Sequence, residues 1–228
     1  LGLLLYCVEA SAQVPEGWTV PFPGFRIIGN LYGVGTYDLS VFLITSGEGH
    51  ILINTGLEGS LPQISKNVDS VGYKLEDVKI LLTMQAHWDH VAGLAQIKSL
   101  TGAKMLATRK DARVLEDGGL SDAQFGGRKT FQPVQVGEII SEGSVIELGN
   151  IKLKVHEHPG HTEGSSSYSL QITENARSYH VVIANMGTIN RGKRLIVKPT
   201  YPGVAEDFES TYRRQKAMSV DVWVAAHG

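Results

Sequence analysis

The sequence predicts an α/β fold in which two β-sheets pack face to face with helices outside. Three observations lead there. Short β-branched and aromatic runs punctuated by glycine fill the first quarter of the chain and return after residue 145. Between them, helical spacing alternates with short apolar runs, and one more helical stretch precedes the last run. Strands, helices, strands and a helix, in that order, bury their apolar faces as two sheets in contact with helices covering them. With 228 residues and 42% apolar side chains, the chain has material for one core of ordinary size, so 13–228 reads as a single domain.

The elements follow in order. "FRIIGNLYGVG" (25–35), "LSVFLITSGEG" (39–49) and "HILINTGL" (50–57) read as adjacent antiparallel strands. "LPQISKNVDSVG" (61–72) spaces Leu61, Ile64 and Val68 for a helix and stops at Gly72. "VKILLTM" (78–84) is a continuous apolar run, a strand buried on both faces. "HVAGLAQIKSLTG" (90–102) is helical, "KMLATR" (104–109) a strand, and "KDARVLEDGG" (110–119) a short helix ended by glycines; 120–135 reads as loop. The second series of strands is "VIELGNIKLKVHEH" (145–158), "SSYSLQIT" (166–173) and "HVVIANM" (180–186). "YPGVAEDFESTYRRQKAM" (201–218) sets Val204, Phe208 and Tyr212 four apart on a helix, and "VDVWVAAHG" (220–228) is a last buried strand that delivers His227.

Composition narrows the function classes. A net charge of −2 without a basic stripe speaks against nucleic acid or a membrane surface as partner. No stretch has the length of a membrane-spanning helix. The opening "LGLLLYCVEASAQ" reads as the remnant of a secretory signal, 1–12, with Ala10-Ser11-Ala12 as its cleavage pattern, which predicts a periplasmic protein. The alternative is an ordinary apolar strand. Cys7, the one cysteine, falls in this segment, so 13–228 has neither a disulfide nor a thiolate ligand.

The chemistry concentrates in "TMQAHWDHVAG" (83–93), which follows the buried run directly. In an extended loop, Gln85, His87 and Asp89 face one side and His90 the other, so the stretch can serve two metals. Zinc accepts imidazole nitrogen and carboxylate oxygen. "HEHPGHTEGS" offers His156, His158 and His161, the last released onto a loop by Pro159-Gly160; His227 also follows an apolar strand. His50, His180, and for the most part His156 and His158, read as core or surface residues.

These residues resemble the metallo-β-lactamase superfamily, whose first-loop signature is HxHxDH and whose later GHTxGS segment is matched by "PGHTEGS". Within it the chain is similar to subclass B3 metallo-β-lactamases and their GOB-type branch, which carries glutamine at the first motif position. "LINTGL", "LLTMQAHWDH", "LTGAK", "VVIANM", "YPGVAEDF" and "VWVAAHG" extend the likeness from about Gly24 to the C-terminus. The resemblance implies a four-layer αββα sandwich of two mixed sheets and one or two zinc ions. Gln85, His87 and His161 would hold the first, and Asp89, His90 and His227 the second, which should bind more tightly. It implies hydrolysis of the β-lactam amide by a zinc-bound hydroxide, with Asp89 as ligand and orienter of that nucleophile. The protein would be a monomer acting on penicillins, cephalosporins or carbapenems.

Other positions stay open. Thr188, Asn190 and Lys193 are candidates for the substrate carboxylate by place or charge. Asn54 is a hydrogen-bond support for a ligand or a turn residue; Met186 lies near the site or in the core; Trp88 packs on a loop or meets substrate. Many thioesterases and lactonases of the superfamily carry a metal-bridging aspartate where this chain has "ANM". Another zinc hydrolase, lactonase or glyoxalase-II-like, and a silent metal-binding homologue remain as alternatives. Family members continue past His227, so a chain truncated at its C-terminus is also expected.

Overall fold

The computed structural model describes residues 14–227. The segment read as a signal remnant, with Cys7, lies outside the described residues. One sheet is built from β1 (Phe25–Ile28), β2 (Leu31–Gly33), β3 (Phe42–Ser46), β4 (Gly49–Ile53), β5 (Val78–Leu82), β6 (Lys104–Thr108) and β7 (Glu138–Ile140), in sequence order. Its first four strands pair antiparallel and the rest parallel. The other contains β8 (Val145–Leu148), β9 (Ile151–Glu157), β10 (Ser166–Glu174), β11 (Arg177–Ala184) and β12 (Val222–Ala225), ordered β12-β11-β10-β9-β8. Only β11 and β12 run parallel there.

Parallel neighbours need crossovers, and helices supply most of them. α1 (Leu61–Ser70), α3 (Leu94–Thr101) and α4 (Arg109–Asp117) follow β4, β5 and β6. α5 (Val204–Lys216) joins β11 to β12. Alternation along the strands then fills two cores. Phe42, Ile44, Ile51 and Ile53 meet Leu153, Val155, Leu170 and Val181 between the sheets. Leu43 and Leu52 point the other way, onto Ile64, Val68, Leu94, Ile97 and Leu115. Each such side chain, fully buried, contributes about 1.5–3 kcal/mol of transfer free energy. The result is the expected αββα sandwich of two mixed sheets.

Two expectations are corrected. Two runs read as single strands each divide at a turn, 25–35 into β1 and β2 and 145–158 into β8 and β9, while β7 arises at Glu138-Ile139-Ile140, where three residues carry too little pattern to be read. The motif is not extended throughout: Trp88–Val91 forms a helical turn, α2, with His87 as its cap and the amides of His90 and Val91 donating to the His87 carbonyl. The turn is pinned because Thr55 donates its amide to His90 O at 2.8 Å. Gly93 is needed just beyond it, since a Cβ there would lie 2.8 Å from Thr55 O.

Candidate metal centre

The chain leaves β5 through a hydroxyl-stabilised turn. Thr83 Oγ1 donates to Gln85 O at 2.6 Å and accepts from Gln85 N at 3.2 Å. Behind it stands Asn54, fully buried and left-handed at φ 66°. Its Oδ1 accepts from Met84 N at 3.0 Å, and its Nδ2 donates to Ser40 O at 3.2 Å. Asn54 therefore bonds no candidate ligand side chain; it holds the residues immediately before Gln85. Past His87 the helical turn rotates each residue about 100° from the last. Asp89 and His90 thereby reach one point together, although they are sequence neighbours.

Two donor clusters result. Asp89 Oδ2 lies 3.1 Å from His90 Nε2 and 3.5 Å from His227 Nε2, and the two imidazole nitrogens are 3.2 Å apart. His87 Nδ1 and His161 Nε2 are 3.1 Å apart. Tetrahedral coordination with zinc–ligand bonds of about 2.0–2.1 Å sets neighbouring donors about 3.3 Å apart. The three edges of the first-named cluster and the single edge of the other match it. Gln85 Oε1 is buried and has no hydrogen-bond partner, as is true of His90 Nδ1. The aspartate and histidine donors thus fit a divalent metal on distances, and the orphaned Gln85 oxygen fits it on chemistry.

One hydrogen bond, at His161, and a nearby carboxylate at each of His87 and His227 indicate which ring nitrogen faces the cluster. His161 Nδ1 is 2.8 Å from Thr188 O, a carbonyl that only accepts, so Nδ1 holds the proton and Nε2 is free to ligate. His87 Nε2 faces Asp122 Oδ2 at 3.5 Å, leaving Nδ1 toward His161. His227 likewise faces Asp38 through Nδ1 at 3.7 Å and the cluster through Nε2. Carboxylates and carbonyls behind metal-binding imidazoles orient them in this way.

Protonation states follow from the surroundings. Burial works to raise the Asp89 carboxyl, but the charges and hydrogen bonds of His90 and His227 outweigh it, and Asp89 sits well below the usual carboxylate range. Burial, then the neighbouring His87, pushes His161 down to about 3. His90 is lowered too, burial prevailing over Asp89. The ionised Asp89 and the neutral His90 and His161 are the forms that ligation requires, whereas His227 is raised by Asp89 and Asp38 against its burial and gives up a proton to ligate. Behind the first pair, Asp111 is fully buried and its carboxyl is pushed up to about 7 by desolvation.

The clusters open onto a cavity of about 550 Å³. Trp18, Trp88 and Phe125 form apolar walls, with Trp18 edge-on to Trp88 at 5.5 Å. Thr188, Asn190 and Arg191 line it from the loop after β11. Trp88 therefore both packs on a neighbouring segment and faces the cavity. Lys193 is placed otherwise than a free substrate contact: its ammonium donates to Gly160 O at 3.1 Å and His161 O at 2.6 Å. Met186 is exposed at the end of β11, neither core nor bonded to a donor residue. His156 and His158 bond Ser169 and Ser167, and His50 packs on Tyr73, as the plainer reading of them has it.

Sequence reasoning missed Trp18, Asp38, Asp122, Phe125 and Arg191. Asp122, Phe125 and Arg191 reach the site from segments read as loop, and Trp18 and Asp38 from stretches assigned to no element, where no periodicity marks a residue. The one usable signal was the run "TINRGKR", whose clustered cations lie on the same loop as Thr188.

The profile of the metallo-beta-lactamase superfamily matches residues 35–174. A class B3 di-zinc metallo-beta-lactamase from an Alaskan soil metagenome superposes with TM-score 0.91 at 46% identity, over 94% of this chain and 82% of that one. A beta-lactamase from Chitinophaga pinensis gives 0.92 at 42%, over 96% and 83%. The metallo-beta-lactamase GOB-18 from Elizabethkingia meningoseptica gives 0.91 at 41%, over 94% and 80%. Among curated proteins, a hydroxyacylglutathione hydrolase from Maricaulis maris is 30% identical over 47% of this chain. The chain spans only 33–58% of the length of the curated relatives it matches. A profile match over more than half the chain, on a sandwich shared with these structures almost end to end, decides the family: the protein belongs to the metallo-beta-lactamase superfamily.

Proposed function

We propose that the protein is a zinc-dependent hydrolase of the β-lactam amide bond, of subclass B3 and its GOB-type branch. The observation that carries this reading is the donor pattern. A buried, unpaired glutamine oxygen precedes the His87–His161 pair, an Asp-His-His cluster stands beside it, and β11 is followed by Asn185-Met186 without a carboxylate. The solved structures named as beta-lactamases, at 41–46% identity, support it.

Gln85, His87 and His161 would hold one zinc, and Asp89, His90 and His227 the other. Bound there, zinc supplies Lewis acidity toward the carbonyl and a water acidic enough to deprotonate near neutral pH. Asp89, kept ionised, would accept a hydrogen bond from the attacking water and orient it. The Arg191 guanidinium meets the substrate carboxylate, with Asn190 and Thr188 beside it. Lys193 acts on substrate only indirectly, by anchoring the His161 loop. Trp18, Trp88 and Phe125 exclude water and pack on the substituents of the ring. The domain 13–228 acts as a monomer after export to the periplasm; cell fractionation that leaves the full-length protein in the cytoplasm refutes the location.

A second reading is a thioesterase, supported by the hydroxyacylglutathione hydrolases among the relatives. Zinc-loaded protein, assayed on nitrocefin, imipenem and a hydroxyacylglutathione thioester with and without EDTA, separates the two. EDTA-sensitive turnover of the lactams is expected. Thioester turnover alone overturns the proposal in favour of the second reading.

A further inference from the structure

We propose that the turn 194–200, between β11 and α5, docks the protein on an anionic phospholipid bilayer, with Ile196 and Val197 entering the headgroup layer and Arg194 and Lys198 meeting lipid phosphates. Exposure marks the turn. Ile196 and Val197 are 84% and 77% exposed, beyond every other large apolar side chain among the described residues, where Tyr37 follows at 64%. Two adjacent aliphatic side chains in water gain by burial, and here they have nothing to bury against.

The turn is held in this form. Thr200 donates its amide to Arg194 O at 2.8 Å, Arg194 its amide to Thr200 Oγ1 at 2.9 Å, and Arg194 Nε donates to Lys198 O at 2.7 Å. Leu195 anchors the base on Tyr201, Val204 and Phe208. Lys198 takes a left-handed φ of 48°, which costs energy in a residue with a Cβ, and Pro199 fixes the step after it. These contacts keep Ile196 and Val197 outside, although the apolar cluster that Leu195 uses is one residue away.

Charge selects the partner. The whole-chain charge of −2 speaks against a membrane surface only as an average. From 186 to 203 the chain holds Arg191, Lys193, Arg194 and Lys198 and no Asp or Glu. Lys193 is engaged by the Gly160 and His161 carbonyls. Arg194 and Lys198 are exposed, and among the described residues no carboxylate pairs with either. Apolar side chains flanked by cations bind anionic lipid through burial and attraction together. Substrate does not account for the tip, since neither Ile196 nor Val197 lines the cavity. A folded partner suits it less: a stable interface covers about 800 Å² per side, and a protruding pair fits one only where a matching hollow exists. A fluid headgroup layer closes around a protrusion of any shape.

Cosedimentation of the full chain with vesicles is the test. The vesicles are phosphatidylcholine alone, or phosphatidylcholine and phosphatidylglycerol in equal parts, at low and at high salt; thermal melting checks that each variant folds. The parent is expected to bind the mixed vesicles at low salt, to leave them at high salt as the cations are screened, and to ignore phosphatidylcholine. Ile196→Ser combined with Val197→Ser should lower the partition coefficient by about 10-fold or more. Lys198→Glu reverses one charge beside the tip and should lower it by on the order of 10-fold. A parent that ignores the mixed vesicles, or binds phosphatidylcholine equally, overturns the proposal. So does a parent that binds while either variant binds as tightly, because the contact then lies elsewhere on the chain. Self-association of the parent without vesicle binding, abolished by Ile196→Ser with Val197→Ser, makes a second copy the occupant and overturns the bilayer.

Discussion

Asn54→Ala tests the account of how the motif is held. The native side chain is fully buried and makes two sound hydrogen bonds, from Met84 N at 3.0 Å and to Ser40 O at 3.2 Å. Alanine leaves that amide and that carbonyl unsatisfied, at about 1–3 kcal/mol each. It also keeps φ at 66°, a left-handed value costing an alanine roughly 1 kcal/mol more than glycine. The expected loss is about 3–7 kcal/mol, or a fall in Tm on the order of 10 °C or more for a domain of this size. Asn54→Gly should recover roughly the 1 kcal/mol of backbone strain. Asn54→Asp keeps the acceptor for Met84 N but sets an anionic oxygen against Ser40 O, so it should be no better than alanine. Urea unfolding of the metal-free protein at neutral pH, followed by tryptophan fluorescence, measures all three. Asn54→Ala within about 1 kcal/mol of the parent, or glycine no better than alanine, would refute the reasoning.

Three further outcomes are expected. Gln85→His replaces a neutral amide oxygen by an imidazole, which zinc prefers, so calorimetric zinc titration should show the weaker equivalent tightening by about 10-fold or more; equal affinities count against Gln85 as a ligand. Arg191→Ala should raise KM for a lactam carrying a carboxylate by on the order of 10-fold while leaving kcat within about 2-fold, since uniform binding is lost; a kcat defect with unchanged KM contradicts the role. His158, buried beside His156, is lowered to about 4, burial being the main cause. The unfolded chain then takes up a proton that the fold refuses, so the fold loses stability as pH falls from about 6.5 to about 4 and keeps it above. His158→Gln should flatten urea-measured stability across that window, by at most about 3 kcal/mol; an unchanged slope rejects the assignment.

Much of the fold was legible because period and punctuation carried it. β3 to β6 and β9 to β12 sit in the predicted runs, and Gly72 and Gly118 end helices as read. β7 was not legible, since three residues cannot display a period of two. The convergence of His87 with His161, and of Asp89 and His90 with His227, was legible because donor-rich loops follow apolar strands, and strand ends converge at one edge of a sandwich. The helical turn at Trp88–Val91 was not, because its cause is non-local: Thr55 captures His90 O, and Gly93 must clear Thr55. Tyr212 shows the same limit within a helix. Val204 and Phe208 are buried as its spacing predicts, yet Tyr212 turns out to solvent and reaches Gly187 O, while Thr211 takes the inner place and bonds Pro159 O at 2.6 Å. Arg191 and Asp122 illustrate the remainder: their loops acquire meaning only once brought beside the donors.

The donors also straddle a seam. His87, Asp89 and His90 leave the sheet that contains β5, whereas His161 and His227 leave the one that contains β9 and β12. Each cluster therefore takes atoms from both halves of the sandwich, and an ion held by either is a rivet between them. Such a rivet makes metal supply a variable of folding. At a free concentration 100 times its Kd, one ion adds about 2.7 kcal/mol to the closed sandwich. Metal starvation would then first loosen the two halves from each other.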